Sequence, residues 1–280
     1  MTIIETIPPR NPHYTSKPFI SVVIPVRDLE WVRLANCIKS IYLQNRPNPS
    51  DCIEVIIADY GSSEEKLSEM LKMIEPYNCV VYRCSPEHAP LWSLSIARNI
   101  GIRRAKASYI MTLDADIILE QNVFLATMEI LNKQHRTLLI SRVRNLHQIN
   151  LQEINLPMDY DKLSENCFPM RPGCGGLMCA HRHLWYNLRG FDERMKGWGA
   201  EDDDFRGRAA KHGWVQKDLQ NHVFEKGKTK VFHQHHVRPW LVASEQITAE
   251  QHSELAIENK RIFKQSASIK RNDEKWGMYV

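Results

Sequence analysis

Four consecutive acidic residues, Glu201–Asp204, follow the segment Gly197-Trp-Gly-Ala200. Adjacent carboxylates repel one another, so such a run costs stability unless a cation or substrate hydroxyls offset the repulsion. One interpretation is a solvated first turn of a helix, where acidic side chains are favoured. The other is an acidic active site, and two further clusters along the chain favour it.

The second cluster is Asp114 and Asp116, which end the apolar run 108–113. In an extended chain both side chains point the same way, and carboxylate oxygens suit a divalent cation. The third is His233-Gln-His-His236, where an imidazole ligand would favour Mn²⁺ or a similar ion over Mg²⁺. Its spacing does not say which histidine binds. The three clusters indicate a metal-assisted reaction on a hydroxylated, phosphate-bearing substrate.

Strands and helices alternate through the part of the chain that must position Asp114 and Asp116. Alternation of this kind is typical of βαβ units and a mostly parallel sheet, with ligands at the C-terminal strand edge. Asp59 follows a predicted strand, so it should lie at that edge too. We predict strands at 19–25, 53–58, 79–83, 108–113 and 137–141, and helices at 31–42, 63–75, 92–105 and 121–134.

The second half has a weaker pattern. Residues 143–172 are predicted to form a long loop or lid, and Gly173-Cys-Gly-Gly176 to let the backbone approach another group closely. A capping box, Thr248-Ala-Glu-Gln251, is predicted in the last helix. The other predicted elements are strands at 177–180 and 229–232 and helices at 181–188, 201–212 and 244–266.

The composition is that of an ordinary globular protein of 280 residues, 43% hydrophobic and 25% charged. Its basic residues are scattered, and the net charge of +4 does not indicate nucleic-acid binding. Seven cysteines occur without a Cys-x-x-Cys pair, so we expect reduced thiols in a cytoplasmic protein. We expect neither a signal peptide nor a membrane span, and peripheral contact with a membrane is left open.

In order and spacing, the motifs resemble those of a family 2-type glycosyltransferase with the GT-A fold, over roughly residues 19–240. Tyr60 stands where the family's usual second acid would be. The first-half motifs are Ser21-Val-Val-Ile-Pro25-Val-Arg, Ile56-Ile-Ala-Asp59-Tyr-Gly-Ser62, Ala97-Arg98-Asn99-Ile-Gly101-Ile and Leu113-Asp114-Ala-Asp116. The second half resembles a galactosyltransferase-type motif through Gly190-Phe-Asp192-Glu, Gly197–Phe205 and His233–His236.

The resemblance implies an α/β fold: a Rossmann-like, mostly parallel central sheet flanked by helices, with a smaller acceptor-binding half. It implies four parts: an extended arm (1–18), a nucleotide-sugar-binding half (19–142), an acceptor-binding and catalytic half (143–243) and a C-terminal helical extension (244–280). The implied enzyme is a hexosyl- or N-acetylhexosaminyltransferase. It would move a sugar from a nucleotide diphosphate, most often UDP, to a hydroxyl of a carbohydrate or glycoconjugate acceptor.

The implied mechanism is metal-dependent and inverting, with Mn²⁺ as the expected ion and Mg²⁺ as the alternative. Asp202 would be the base, and Glu201 would orient the acceptor hydroxyls. The implied binding residues are Pro25, Asp59, Arg98 and Asp114 for the donor, Trp198 and Gly176 for the acceptor, and Asp116, His233 and His236 for the metal.

Other interpretations stay open at this point. A retaining glycosyltransferase can share the metal motif, and a non-catalytic sugar-binding module would keep Trp198 without needing the carboxylates and histidines. A sugar-nucleotide pyrophosphorylase is less favoured, because no basic, glycine-rich phosphate loop follows Pro25. Asp59 could simply begin a turn, and Arg98 could be an ordinary surface residue of a helix.

Overall fold

The computed structural model describes residues 4–9, 18–45, 52–157, 159–168, 175–221, 223–224, 227–236 and 248–278. Part of the predicted glycine segment, residues 173 and 174, lies outside the described residues, as do residues 169–172 of the predicted lid. The same holds for residues 244–247, where the last helix was predicted to begin.

The strands are β1 (Ile4–Ile7), β2 (Ile20–Val26), β3 (Ile53–Tyr60), β4 (Cys79–Cys84), β5 (Tyr109–Leu113), β6 (Ile117–Leu119), β7 (Thr137–Ile140), β8 (Arg144–Asn145), β9 (Leu177–His181), β10 (Val215–Asp218), β11 (Val223–Phe224), β12 (Gly227–Lys228) and β13 (Val231–His233). The α-helices are α1 (Trp31–Tyr42), α2 (Glu64–Ile74), α3 (Leu94–Arg104), α4 (Val123–Lys133), α5 (Tyr160–Glu165), α6 (Arg182–Leu188), α7 (Glu201–Lys211) and α8 (Ala249–Gln265).

One eight-stranded sheet forms the centre, in the order β1-β4-β3-β2-β5-β9-β7-β10. Strands β4, β3, β2 and β5 are parallel, as predicted, whereas β9 runs antiparallel to both β5 and β7. Strands β9 and β10 come from the second half of the chain, so the predicted halves share this sheet. Beside it, β13 pairs with β6 and β8 in a three-stranded sheet.

Helices cover both faces of the central sheet, which explains why its strands are apolar without alternation. In β2, Val22 and Ile24 pack into a core with α1, α2 and α4, while Val23 points into the opposite core with α3, α6 and α7. All three side chains are fully buried. The runs of β-branched residues in the sequence therefore mark strands that are buried on both faces.

The predicted lid is more structured than its weak periodicity indicated. It contains β8, a short 3₁₀ helix at Leu151–Glu153 and α5. Its apolar side chains form a third cluster with Ile118 and Phe232, and Tyr160 donates a hydrogen bond to the carbonyl of Leu119. The periodicity is weak because short elements pack against a strand that is distant in sequence.

Other differences are local. The predicted arm contains the edge strand β1, which pairs with β4, and β10 was not predicted. Helix α8 begins at Ala249, and the predicted capping box of Thr248 and Gln251 is confirmed. Among the described residues, none of the helices combines the length and apolarity needed to cross a bilayer.

Close packing between α3 and the sheet predicts the effect of one substitution. A Cβ atom on Gly101 would overlap a methyl group of Val23, so Gly101→Ala should lower the free energy of unfolding by about 1–3 kcal/mol. On Gly207 of α7, a Cβ would have its nearest neighbour, Phe263 Cε2, at 3.9 Å. Gly207→Ala should therefore be neutral or stabilising by up to about 1 kcal/mol. Urea unfolding measures both variants, and equal stability would contradict this packing.

Candidate active site

The carboxyl ends of β2, β3 and β5 lie side by side and carry three of the four predicted donor residues. Pro25 in β2 is opposite Ala58 in β3, and Asp59 follows Ala58. Asp114 follows the last residue of β5, and its amide donates a 3.0 Å hydrogen bond to the carbonyl of Gly176. The structure thus places Asp59 and Asp114 along one edge, as the strand pattern predicted, and Pro25 lies at the same edge.

Asp116, His233 and His236 form a cluster beside this edge. Strand β13 pairs antiparallel with β6, with His233 opposite Ile117, which brings the histidines to Asp116. The Nε2 atoms of His233 and His236 lie 3.3 and 3.1 Å from Asp116 Oδ2. Although burial alone would raise the pKa of Asp116 and lower that of His233, their mutual attraction reverses both shifts.

The chemistry of this cluster fits a divalent metal ion. One ligand atom from each of the three residues lies within 4.8 Å of the others. Asp116 Oδ1 is buried and has no hydrogen-bond partner among the described residues, so it is left for another ligand. A carboxylate with two imidazoles is a donor set typical of transition ions such as Mn²⁺. His235 is not part of this cluster.

Arg98 of α3 joins the two acidic sites. Its side chain is 1% exposed and donates to Asp202 Oδ1 at 2.6 Å, to Asp114 Oδ1 at 2.8 Å and to the carbonyl of Gly175 at 3.3 Å. Its guanidinium also lies 5.0 Å from the centre of the Phe191 ring. Burial alone would lower the pKa of Arg98, but the surrounding carboxylates raise it, so the group stays charged.

The acidic run begins α7 with its first two side chains turned toward Arg98. Glu201 is 3% exposed, and its Oε2 accepts a 2.8 Å hydrogen bond from the amide of Gly199. Burial raises the pKa of Glu201 and raises that of Asp202 far more, although Arg98 opposes both shifts. These two carboxylates therefore do not form a solvated helix start.

The other two acids differ from each other. Asp203 is 70% exposed and pairs with Arg206. Asp204 is fully buried and accepts hydrogen bonds from Arg208 at 2.7 Å and from Arg271 at 2.8 Å. Four adjacent carboxylates are tolerated because three of them have arginine partners inside the protein.

The predicted acceptor residues are close to Asp202 along the chain or through a neighbour: Trp198 precedes it in the same segment, and Gly176 follows Gly175, which Asp202 contacts. Trp198 is 58% exposed and stacks on His252 of α8 with ring centres 6.4 Å apart. Gly176 packs against Ile117, where a Cβ would lie 3.1 Å from Cδ1. A large exposed ring next to buried carboxylates is a suitable surface for a sugar face.

Asp59 is fully buried, and only one of its two carboxylate oxygens has a hydrogen-bond partner among the described residues. Its Oδ1 accepts a hydrogen bond from the Ser62 amide at 3.2 Å, while Oδ2 has no hydrogen-bond partner among the described residues and lies 3.6 Å from Arg83 Nε. Burial raises its pKa to about 6, although Ser62 and Arg83 oppose the shift. The Ser62 bond fits the predicted turn, and the second oxygen is left for a ligand.

Two features of the site were not predicted from sequence. A Cβ on Gly175 would overlap Asp202 Oδ2, so glycine is required there by the close approach of the carboxylate. The glycine-rich segment was the signal for such an approach, but it did not identify the partner. Arg271 has no motif around it, and its contact with Asp204 was not foreseen.

Family models match two overlapping segments of the chain. The model of glycosyl transferase family 2 matches residues 21–184, and a model described as the N-terminal domain of galactosyltransferase matches residues 164–236. Chondroitin synthase of Escherichia coli is 23% identical over 203 residues, which cover 60% of this chain and 29% of that protein. The chain thus spans less than a third of that relative's length.

Solved structures share the fold. TarS of S. aureus in complex with UDP-GlcNAc superposes with a TM-score of 0.59 at 13% identity, covering 89% of this chain and 68% of that one. GalNAc-T7 with UDP, GalNAc and Mn²⁺ also gives a TM-score of 0.59, at 17% identity, covering 89% of this chain and 50% of that one. The α/β architecture is accordingly the GT-A fold, with its mostly parallel central sheet.

The raised pKa of Asp59 predicts a pH-dependent stability. Between the unfolded pKa of 3.8 and the folded value of about 6, the folded state binds the extra proton, so stability falls as pH rises through that window. Asp59→Asn retains an oxygen for the Ser62 amide. Because the asparagine side chain does not titrate, the variant should not lose stability as pH rises through this window. Relative to wild type, the variant should gain up to about 3 kcal/mol in unfolding free energy between pH 4 and pH 7. Urea unfolding across this range measures the gain. A difference in unfolding free energy between variant and wild type that stays constant with pH would contradict it.

Proposed function

Because the family 2 model matches more than half of the sequence, the chain belongs to glycosyl transferase family 2, and we propose that this glycosyltransferase uses a UDP-linked sugar. It transfers the sugar to a hydroxyl of a carbohydrate or glycoconjugate acceptor, with a divalent metal and inversion at the anomeric carbon. One observation carries the proposal: Arg98 bonds both to Asp114, beside the Asp116 cluster, and to Asp202.

The donor would lie along the edge formed by β2, β3 and β5. UDP is favoured because TarS and GalNAc-T7 were solved with uridine nucleotides. Pro25 would border the nucleoside, and the open carboxylate oxygen of Asp59 would accept a hydrogen bond from its base or ribose. Asp114 would contact the donor directly. Both terminal nitrogens of Arg98 bond to protein groups, so Arg98 would act on the donor through Asp114.

Asp116, His233 and His236 would hold the metal, with Mn²⁺ as the first choice and Mg²⁺ as the alternative. When bound, the ion would neutralise charge on the leaving diphosphate. This part of the proposal is supported by the ligand set and by the Mn²⁺ in the GalNAc-T7 structure.

Asp202 would remove the proton of the acceptor hydroxyl as the acceptor oxygen bonds to the anomeric carbon. The bond from that carbon to the diphosphate breaks on the opposite face, and UDP leaves with its electron pair. Burial raises the pKa of Asp202 and so makes its carboxylate more basic, while the hydrogen bond from Arg98 opposes this rise and fixes the direction of the carboxylate. Glu201 would orient the acceptor hydroxyls, with Trp198 against the sugar face and Gly176 beside it.

We predict that Asp116→Ala and His236→Ala lose tight Mn²⁺ binding, because each removes one ligand from a three-residue set. His235→Ala is the matched control from the same stretch, and it should bind Mn²⁺ like wild type. Calorimetry with Mn²⁺ in the presence of UDP measures the binding. Full UDP-sugar turnover by Asp116→Ala in the presence of a chelator would contradict the metal assignment.

We predict that Asp202→Asn keeps normal UDP affinity but loses about 100- to 10,000-fold in turnover, because only proton removal is affected. Asp203→Asn is the control, since Asp203 is 70% exposed and pairs with Arg206. Asp204 does not serve as one, because it is buried against two arginines.

A screen of UDP-, GDP- and CDP-sugars with Mn²⁺ first identifies the donor for this comparison. Proton NMR of the product then reports its anomeric configuration, and an α-linked donor should give a β-linked product. Retention of configuration, or wild-type turnover by Asp202→Asn, would overturn the inverting mechanism.

A further inference from the structure

We infer that Asn259 of α8 is a positioning residue for Glu201 and Asp202, because it fixes the loop from which α7 begins. The inference rests on the proposed function, in which these two carboxylates act on the acceptor. Asn259 lies beyond residue 236, where the second family-model match ends.

Asn259 is 2% exposed and uses both ends of its amide on the backbone of one loop. Its Oδ1 accepts from the amide of Lys196 at 3.1 Å. Its Nδ2 donates to the carbonyls of Lys196 at 2.8 Å and Gly199 at 3.0 Å. Asn259 thus supplies the hydrogen-bond partners of Lys196 and Gly199 on either side of Gly197, whose amide donates to the Trp92 carbonyl at 2.8 Å. We define the segment 196–200 as the entry loop.

The entry loop needs such a partner because its backbone is irregular. Gly197, Gly199 and Ala200 all have positive φ angles, of 66°, 110° and 70°. A chain with this conformation cannot continue a regular ladder: the Gly197 amide donates to the Trp92 carbonyl at 2.8 Å, but the amide of Lys196 and the carbonyls of Lys196 and Gly199 bond to the Asn259 side chain. Of the three residues, Ala200 has the most strained backbone, because its Cβ disfavours the left-handed region.

The entry loop is linked directly to the carboxylates. Gly199 connects Asn259 with Glu201: its carbonyl accepts from Asn259, and its amide donates to Glu201 Oε2 at 2.8 Å. The Ala200 carbonyl accepts from the Asp204 amide at 2.9 Å and so closes the first turn of α7. A shift of the loop would therefore turn Glu201 and Asp202 away from Arg98, and catalytic groups tolerate only small misplacements.

Two further contacts, made by the residues that follow α8, explain why the fold should survive substitution of Asn259. Arg271 bonds to Asp204 in the first turn of α7, and Trp276 is buried against Tyr186. These contacts anchor the segment independently of the entry loop. Substitution of Asn259 should thus loosen the loop without releasing α7.

The test compares Asn259→Ala and Asn259→Asp with wild type. Lys260→Ala, an exposed neighbour on the same helix, is the matched control. Met70→Ala, fully buried in α2 on the opposite face of the sheet, controls for a general loss of stability. The readouts are amide hydrogen exchange of residues 196–202, calorimetric affinity for UDP with Mn²⁺, and kcat with the UDP-sugar found in the donor screen.

We expect Asn259→Ala to exchange faster at the Lys196 amide, to keep wild-type UDP affinity and to lose about 10- to 100-fold in kcat. Met70→Ala should lower the melting temperature without these local changes. In Asn259→Asp the ionised carboxylate cannot donate, but its protonated form can. Because position 259 is 2% exposed, burial should raise the pKa of the introduced carboxyl group. The activity of Asn259→Asp relative to wild type should therefore rise as pH is lowered from 7.5 to about 5.5, whereas the relative activity of Asn259→Ala should not.

Wild-type exchange at Lys196 together with wild-type kcat in Asn259→Ala would overturn the inference. A wild-type enzyme that turns over no UDP-sugar would instead overturn the proposed function. In that case the exchange data alone decide whether Asn259 holds the entry loop.

Discussion

The buried charge of Arg98 is the constraint on which the site depends. A guanidinium that is 1% exposed is very costly unless carboxylates and carbonyls surround it. Here the partners come from the end of β5, the start of α7 and the segment after the lid, so folding must bring all three together. The same contacts oppose the rise that burial causes in the pKa of Asp202. The folding of the site and the position of its proposed base thus depend on the same ion-pair network.

Much of this arrangement could be predicted from the sequence, because its causes are local. Short β-branched runs such as Ile20–Val26 are typical of strands buried on both faces, and strands alternating with helices favour parallel pairing. Parallel strands end at one edge, so Asp59 and Asp114 could be expected at the same edge of the sheet. The histidines could be assigned to Asp116 by chemical type, and β13 places two of them there.

The other parts of the site depend on contacts between residues that are distant in sequence, and such contacts produce no hydrophobic periodicity from which they could be predicted. Arg98 lies in a largely buried helix, and nothing near it in sequence indicates that Asp202, 104 residues later, is its partner. The lid packs through scattered apolar residues onto Ile118 and Phe232. Asn259 resembles any polar residue of an amphipathic helix, and only the backbone of the entry loop explains its burial.

A double-mutant cycle with Arg98→Met and Asp202→Asn tests the central claim most directly. Each single substitution and the pair would be compared with wild type by urea unfolding at pH 7. If Arg98 and Asp202 stabilise each other across the site, the coupling free energy should be about 1–3 kcal/mol. A coupling free energy near zero would mean that the two side chains act independently, and it would contradict a site built around the buried charge of Arg98.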